Sequence, residues 1–231
     1  MNMEINPIII PIWYDNKISL FLYQDNILSK SNYQKLLDFL ELQQYKSGTC
    51  ISGKPIPRLQ IWYHMQNSFF CNTWKYRYDR WKSETYQPIL LEVQDIIQQI
   101  TNSLLLEFQK NVDSTVKEIP EYEIQTPIFN SCLINKYRNG QDSIKPHQDS
   151  SISFGEYPTI SNLSIKSPRT MYVRALSKFK NISQKEISLE LKPNSLFIMA
   201  GASQKYFTHS IPKSDSVDSR YSLTFRQHIS V

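Results

Sequence analysis

The sequence predicts an α+β fold, a helical front followed by a run of strands. Three observations predict it. Apolar residues recur at helical spacing in two segments of the first half, one near 31–42 and one over 87–108. From about 128 to 229 the chain instead breaks into short runs separated by turn signals at Asn139-Gly140, Ser167-Pro168, Pro193-Asn194 and Ser214-Asp215. Aromatic residues make up 13% of the chain, and Tyr occurs 14 times, which favours strands and stacking surfaces.

Taken in order, the first apolar run is Ile8-Ile9-Ile10, between Pro7 and Pro11. It has no basic flank and is too short for a signal peptide or a membrane helix, so no targeting or spanning segment is expected. Residues 18–23 read as a strand. Ser31 is the expected cap of a helix whose apolar stripe is Leu36, Leu37, Leu40 and Leu42. A loop with Gly48 and Gly53 follows. The second helix runs over 87–108, with Pro88 near its start and Leu90, Val93, Ile96, Ile97, Ile100 and Leu104 at helical spacing. A length of 231 residues fits one large β-rich domain or two small ones and can bury a sizeable core.

Composition excludes several chemistries. Five glycines and no G-x-x-x-x-G-K pattern argue against a phosphate-cradling loop. Cys50, Cys71 and Cys132 are too widely spaced for a C-x-x-C zinc site and give no disulfide framework, so a reducing, intracellular compartment is expected. A net charge of +5 and a pI near 8.9 suit a polyanionic partner.

The candidate chemistry lies in the strand-rich part. His147-Gln148-Asp149 puts a histidine and an aspartate two residues apart, and i and i+2 share a face of an extended chain. His209 follows 60 positions after Asp149 and offers a third ligand from another strand. Two histidines and one carboxylate form the facial triad of non-haem Fe(II) oxygenases, which leaves open positions for co-substrate and oxygen. An isolated H-x-D pair is as easily a surface pair beside a turn, so the neighbouring segments carry weight.

Residues 220–226, Arg-Tyr-Ser-Leu-Thr-Phe-Arg, alternate polar and apolar side chains. Arg220 and Arg226 share one face, while Tyr221, Leu223 and Phe225 form the other. Two such arginines are commonly solvated edge charges, but a guanidinium fork also fits a carboxylate ligand. In 131–137 the pair Asn135 and Tyr137 likewise shares a face. Upstream, 74–82 interleaves the cations Lys75, Arg77, Arg80 and Lys82 with Trp74, Tyr76, Tyr78 and Trp81. That pattern suits phosphates and a stacked base, and equally a half-buried edge strand guarded by charges.

Together these segments resemble the AlkB-like Fe(II)/2-oxoglutarate-dependent dioxygenases that dealkylate nucleic-acid bases. The motifs carrying the resemblance are 133–137 (Leu-Ile-Asn-Lys-Tyr), His147-Gln148-Asp149, 195–199 (Ser-Leu-Phe-Ile-Met) with Gly201 and Ala202, 207–212 (Phe-Thr-His-Ser-Ile-Pro) and 220–226. Pro57-Arg58 with Trp62-Tyr63 looks like the family's nucleotide-recognition region. The likeness runs from about Leu20 to Arg226.

The resemblance implies a double-stranded β-helix (jelly-roll) core over 128–231. An N-terminal extension and substrate-recognition lid would occupy 1–127, the whole forming one compact domain. It implies Fe(II) held by His147, Asp149 and His209. Arg220 and Tyr137 would receive the distal carboxylate of 2-oxoglutarate, with Asn135, Ser222 and Arg226 also at the co-substrate. On the substrate side it implies Arg58, Trp62, Tyr63, Tyr76, Tyr78 and Ser151, with His147 as the wall facing Tyr78. The implied reaction consumes O2 and 2-oxoglutarate and hydroxylates an N-methyl carbon, as in 1-methyladenine or 3-methylcytosine of DNA or RNA. It releases formaldehyde, succinate and CO2. The expected protein is a monomer of the cytoplasm or nucleus.

Two positions depart from the family pattern. Ser151 stands where many members have an acidic residue that reads the damaged base, and Ser222 stands where an asparagine is common. Three functional classes remain. One is the nucleic-acid demethylase; another is the same iron chemistry acting on a protein or small molecule; the third is a metal-holding binding module. The Arg220/Arg226 pair disfavours the third, and the 74–82 run favours the first.

Overall fold

The computed structural model describes residues 7–50, 53–66, 68–70, 81–112 and 124–229. The chain opens with a hairpin of β1 (Ile8–Tyr14) and β2 (Lys17–Gln24), turned at Asp15 and Asn16, both at positive φ. Helix α1 (Lys30–Leu42), strands β3 (Leu59–His64) and β4 (Glu84–Thr85) and helix α2 (Pro88–Asn111) follow. Eight strands complete the fold: β5 (Ser131–Tyr137), β6 (Ile144–His147), β7 (Ile160–Lys166), β8 (Arg169–Ala175), β9 (Glu186–Leu191), β10 (Ser195–Gly201), β11 (Phe207–Ile211) and β12 (Arg220–Arg226). Two single-turn helices, α3 (Ser151–Phe154) and α4 (Ser203–Tyr206), lie among them.

The strands form two sheets, ordered β1-β2-β10-β7-β12-β5-β3-β4 and β6-β11-β8-β9. The last eight strands divide evenly between them, four to each sheet, in the manner of a double-sheet jelly roll. The first four strands extend the larger sheet on both sides, so the hydrogen-bonded ladder crosses the 127/128 boundary.

Period-2 alternation gives the large sheet two buried faces. On β12, Tyr221, Leu223 and Phe225 join the core beneath α1 and α2, with Leu36 and Leu40 from α1 and Leu90, Val93, Ile97 and Leu105 from α2. The opposite face meets the small sheet in a second core that includes Phe21, Tyr137, Met171, Val173, Met199, Phe207 and Ile211. The polar side chains Asn135, Asn162, Ser222 and Thr224 line a cavity on this inner side. Burying apolar side chains on both faces contributes roughly 1.5–3 kcal/mol each, and the sheet gives the polar inner residues a rigid frame.

Several expected elements differ in detail. Ser29, not Ser31, caps α1, its side chain accepting from the Asn32 N–H at 3.2 Å. Leu42 is 81% exposed at the helix end, where the apolar stripe has rotated off the core. Helix α2 runs to Asn111, with Leu105 and Phe108 extending its buried stripe beyond Leu104. Strand β1 was hidden in the sequence by Pro7 and Pro11; an edge strand tolerates Pro11 because one side of its ladder is open. At the expected Asn139-Gly140 turn, a Cβ on Gly140 would collide with the Ser214 carbonyl. The close approach lets the Gly140 N–H reach Ser216 O at 2.6 Å and so ties the β5–β6 turn to the β11–β12 loop. No helix among the described residues is long and apolar enough to cross a membrane.

Candidate active site

Antiparallel pairing of β11 with β6 sets His209 directly opposite His147. Their ring centroids are 4.2 Å apart. Asp149, two residues past the end of β6, brings Oδ1 to 3.8 Å from His147 Nε2 and 4.0 Å from His209 Nε2. One ligand atom from each residue lies within 4.8 Å of the other two, a spacing that one cation fits. The His147 Nδ1 sits 2.9 Å from the Lys145 carbonyl, which orients the ring with Nε2 towards its partners.

Electrostatics favour the metal-competent protonation states. Burial pushes the His209 imidazole down to about 3, and His147 and Arg226 add to the effect against the pull of Asp149. Burial also lowers His147, partly offset by Asp149 and the Lys145 carbonyl. Burial raises the Asp149 carboxyl, but Arg226 and the two histidines outweigh it and hold it at about 2. Near neutral pH the trio is two neutral imidazoles and a carboxylate, the state in which protons compete least with a cation.

A cavity of about 380 Å³ opens on this trio. Arg58, Asn135, Tyr137, Ser222 and Arg226 line it. Asn135 Oδ1 accepts from Arg58 Nε and Gln60 Nε2, both at 2.9 Å, which leaves its amide N–H groups as the donors available to a guest. Ser222 Oγ accepts from Asn162 Nδ2 at 2.7 Å. Arg226 Nε donates to Asp149 Oδ2 at 2.7 Å, so this arginine holds the ligand carboxylate directly.

Arg220 is 1% exposed on the same inner face of β12. Its NH2 donates to Ser164 Oγ at 2.8 Å, and its guanidinium lies 5.3 Å from the Tyr137 ring centroid. Its Nε and NH1 have no hydrogen-bond partner among the described residues. Burial lowers it to about 10, so it stays charged at neutral pH. A buried guanidinium with two unsatisfied nitrogens fits a carboxylate guest. The donor set therefore suits a divalent cation at the trio and a carboxylate at Arg220.

The expected substrate residues divide. Tyr76 and Tyr78, with Lys75, Arg77 and Arg80, lie outside the described residues. Trp62 and Tyr63 are neighbours on β3, so their side chains point to opposite faces. Tyr63 is 2% exposed on the helix side and donates to Gln43 Oε1, which turns it away from the cavity. Trp62 is 1% exposed within a cluster of Phe70, Trp81, Leu133 and Phe154, beneath the cavity wall rather than on it. Ser151 is exposed at the start of α3, while its neighbour Ser150 reaches the cavity.

Residues to which the sequence assigned no site role complete the lining. Phe70 and Trp81 pack at 4.7 Å between ring centroids and present aromatic surface to the cavity, as do the apolar Leu133, Met171, Met199 and Ile211. Trp81 stood in the aromatic–basic run without being singled out; Phe70 carried no pattern of its own, being placed by backbone bonds to Trp81.

Comparison with known proteins gives the chain's family and fold. The family model described as the 2OG-Fe(II) oxygenase superfamily matches residues 21–226. The chain is 36% identical over 103 residues to alpha-ketoglutarate-dependent dioxygenase alkB homolog 3 of Homo sapiens, covering 42% of this chain and 36% of that protein. It is 30% identical over 117 residues to DNA oxidative demethylase ALKBH2 of Arabidopsis thaliana, covering 42% and 37%. The matched stretches thus span little more than a third of these relatives. In fold, the chain is similar to OsALKBH1, with a TM-score of 0.65 at 11% identity, covering 94% of this chain and 100% of that one. A prolyl hydroxylase of Trichoplax adhaerens has a TM-score of 0.53 at 9% identity, covering 90% and 83%.

Proposed function

We propose that this chain, which belongs to the 2OG-Fe(II) oxygenase superfamily, is an AlkB-like enzyme that oxidatively demethylates alkylated bases in nucleic acid. The observation that carries this reading is the neighbourhood of two sites. The cation-spaced trio His147, Asp149 and His209 opens on a cavity lined by Tyr137, and the buried, half-satisfied Arg220 lies 5.3 Å from the Tyr137 ring.

Fe(II) bound with 2-oxoglutarate and O2 supplies an oxidant that hydroxylates a C–H bond while the co-substrate becomes succinate and CO2. The chain's share is to bind, orient and exclude water. His147, Asp149 and His209 present one face of ligands. Arg220 and Tyr137 would receive a carboxylate of 2-oxoglutarate, and the Asn135 amide would donate to the co-substrate. Arg226 orients Asp149. Phe70 and Trp81 give a flipped base an apolar wall near His147 and keep water out. Arg58, half-buried at the cavity, supplies a cation suited to a phosphate. Hydroxylation of an N-methyl carbon gives a hemiaminal, which releases formaldehyde and restores the base.

The aromatic wall and the net charge of +5 favour nucleic acid over a protein or small-molecule substrate. A nucleic-acid substrate would place its work in the cytoplasm or nucleus. The test is incubation with Fe(II), 2-oxoglutarate and oligonucleotides that each carry one methylated base, DNA and RNA in parallel. Loss of the methyl mass from a 1-methyladenine or 3-methylcytosine strand supports the reading. Turnover of 2-oxoglutarate with none of them demethylated overturns the substrate and keeps the iron chemistry.

A further inference from the structure

Asp149 lies beyond the last ladder position of β6, so strand pairing does not satisfy its backbone. Its N–H donates instead to the Gln204 side-chain Oε1 at 2.9 Å. The side chain of the preceding residue, Gln148, donates to the Gln204 backbone carbonyl. Gln204 is 8% exposed and sits on α4, the single turn between β10 and β11. That turn is itself fixed. The Ala202 N–H donates to Ile18 O at 2.7 Å, and Tyr206 packs edge-on against Tyr14 and Phe179 at 5.0 and 4.9 Å.

We propose that Gln204 is a positioning residue for the metal centre. It holds the backbone of the segment 147–149 so that His147 and Asp149 meet one ion opposite His209. The segment needs such a hold. Strand β6 is four residues long, lies at the edge of its sheet and pairs with β11 at two positions, with an irregularity between them. Pro146, in its middle, offers no N–H to the ladder. The Asp149 side chain is tied to Arg226, but that bond fixes the carboxylate and not the backbone that carries it. Gln204 supplies the second, independent tether. Without its acceptor oxygen the Asp149 N–H loses its partner, and two of the three ligands move together because they are two residues apart. Gln204 does not itself line the cavity, and its Nε2 donates to the sulfur of the lining residue Met199 at 3.5 Å. Its acceptor oxygen acts on the metal centre through the Asp149 backbone.

The inference rests on the reading of His147, Asp149 and His209 as a cation site. The probe is Mn(II) alone, titrated without oxygen or 2-oxoglutarate and followed by the electron paramagnetic resonance of the free ion. Gln204→Met keeps the side-chain length but has no amide oxygen; Gln204→Asn keeps the carboxamide but falls one methylene short. Both are expected to bind Mn(II) about 10–100-fold more weakly than wild type, the usual cost of losing a group that orients a ligand. Gln204→Glu, which retains an acceptor at the same reach, should recover most of the affinity. In the metal-free protein, hydrogen exchange at the Asp149 amide should accelerate in Gln204→Met and Gln204→Asn while the thermal midpoint changes little. Wild-type Mn(II) affinity and a protected Asp149 amide in either variant would overturn the inference. A wild-type protein that binds no Mn(II) overturns the cation site itself.

Discussion

Arg226 Nε sits 2.7 Å from Asp149 Oδ2, and both side chains are 6% exposed. The pair joins the last strand to the ligand carboxylate and leaves Oδ1 facing the two imidazoles. It also sets a protonation state. Burial alone would raise the Asp149 carboxyl, and Arg226 is the largest influence that lowers it.

Removing that guanidinium therefore makes cation binding sensitive to acid. In Arg226→Gln the buried Asp149 carboxyl titrates at a higher pH, so a proton competes with the cation where it does not in wild type. Mn(II) affinity measured from pH 8 to pH 5 should fall steeply in the variant and little through Asp149 in wild type. Equal pH profiles would remove Arg226 from this role.

His147→Ala, Asp149→Ala and His209→Ala should each abolish succinate production, since each removes one of three protein ligands. The check is 2-oxoglutarate turnover in the presence of a methylated oligonucleotide. Near-wild-type turnover in any one of them removes that residue from the site.

Arg220→Ala should weaken 2-oxoglutarate binding by about 2–5 kcal/mol, because a buried carboxylate loses its charged, hydrogen-bonded partner. Arg220→Lys should rescue it in part, as an ammonium cannot reproduce the two-nitrogen fork. Calorimetric titration of 2-oxoglutarate into the Mn(II)-loaded protein measures both. An unchanged affinity in Arg220→Ala would move the carboxylate site elsewhere.

The metal-free protein should lose stability on acidification, and the sign follows from its histidines. Burial lowers His64, His147, His209 and His228 in the fold. The unfolded chain therefore takes up more protons than the folded one as pH drops below about 6.5. The loss begins there and continues towards about 3, the level to which His209 is pushed. A tenfold difference in proton affinity between the folded and unfolded chain is worth about 1.4 kcal/mol, so urea midpoints between pH 7.5 and 5 should decrease clearly. A flat profile would contradict neutral, buried imidazoles.

Much of the site was legible because strands have a strict period of two. The spacing of His147 and Asp149, and of Arg220 and Arg226, placed each pair on one face before any fold was known, and register then brought the faces together. The same rule shows why Trp62 and Tyr63 cannot both meet a substrate: neighbours on a strand diverge, and Tyr63 turns to the helices. Gln204 left no such trace. Its role depends on a turn between β10 and β11 meeting a chain end beyond β6, a contact across 55 residues that no local pattern encodes. Helices α3 and α4, one turn each, are too short for a periodic signal.

If Tyr78 stacks on an extruded base, Tyr78→Ala should cost about 1–3 kcal/mol in oligonucleotide binding, and Tyr78→Phe little. Trp81, on the cavity wall, should behave in the same way for Trp81→Ala against Trp81→Phe. Neutralising Lys75, Arg77, Arg80 and Lys82 should weaken binding regardless of sequence and flatten its salt dependence. Fluorescence anisotropy across a salt series distinguishes these effects. A silent Tyr78→Ala with an impaired Tyr76→Ala would assign the stacking to Tyr76 instead.

The stoichiometry of the coupled reaction tests the demethylase assignment most directly. Wild-type protein is supplied with Fe(II), 2-oxoglutarate, O2 and an oligonucleotide bearing one 1-methyladenine or 3-methylcytosine, and succinate, formaldehyde and repaired strand are counted together. Formaldehyde and repaired strand are expected in equal amounts, with succinate rising alongside them and all three vanishing in Asp149→Ala. Succinate formed without formaldehyde or repaired strand, for both bases and in both DNA and RNA, would contradict the assignment.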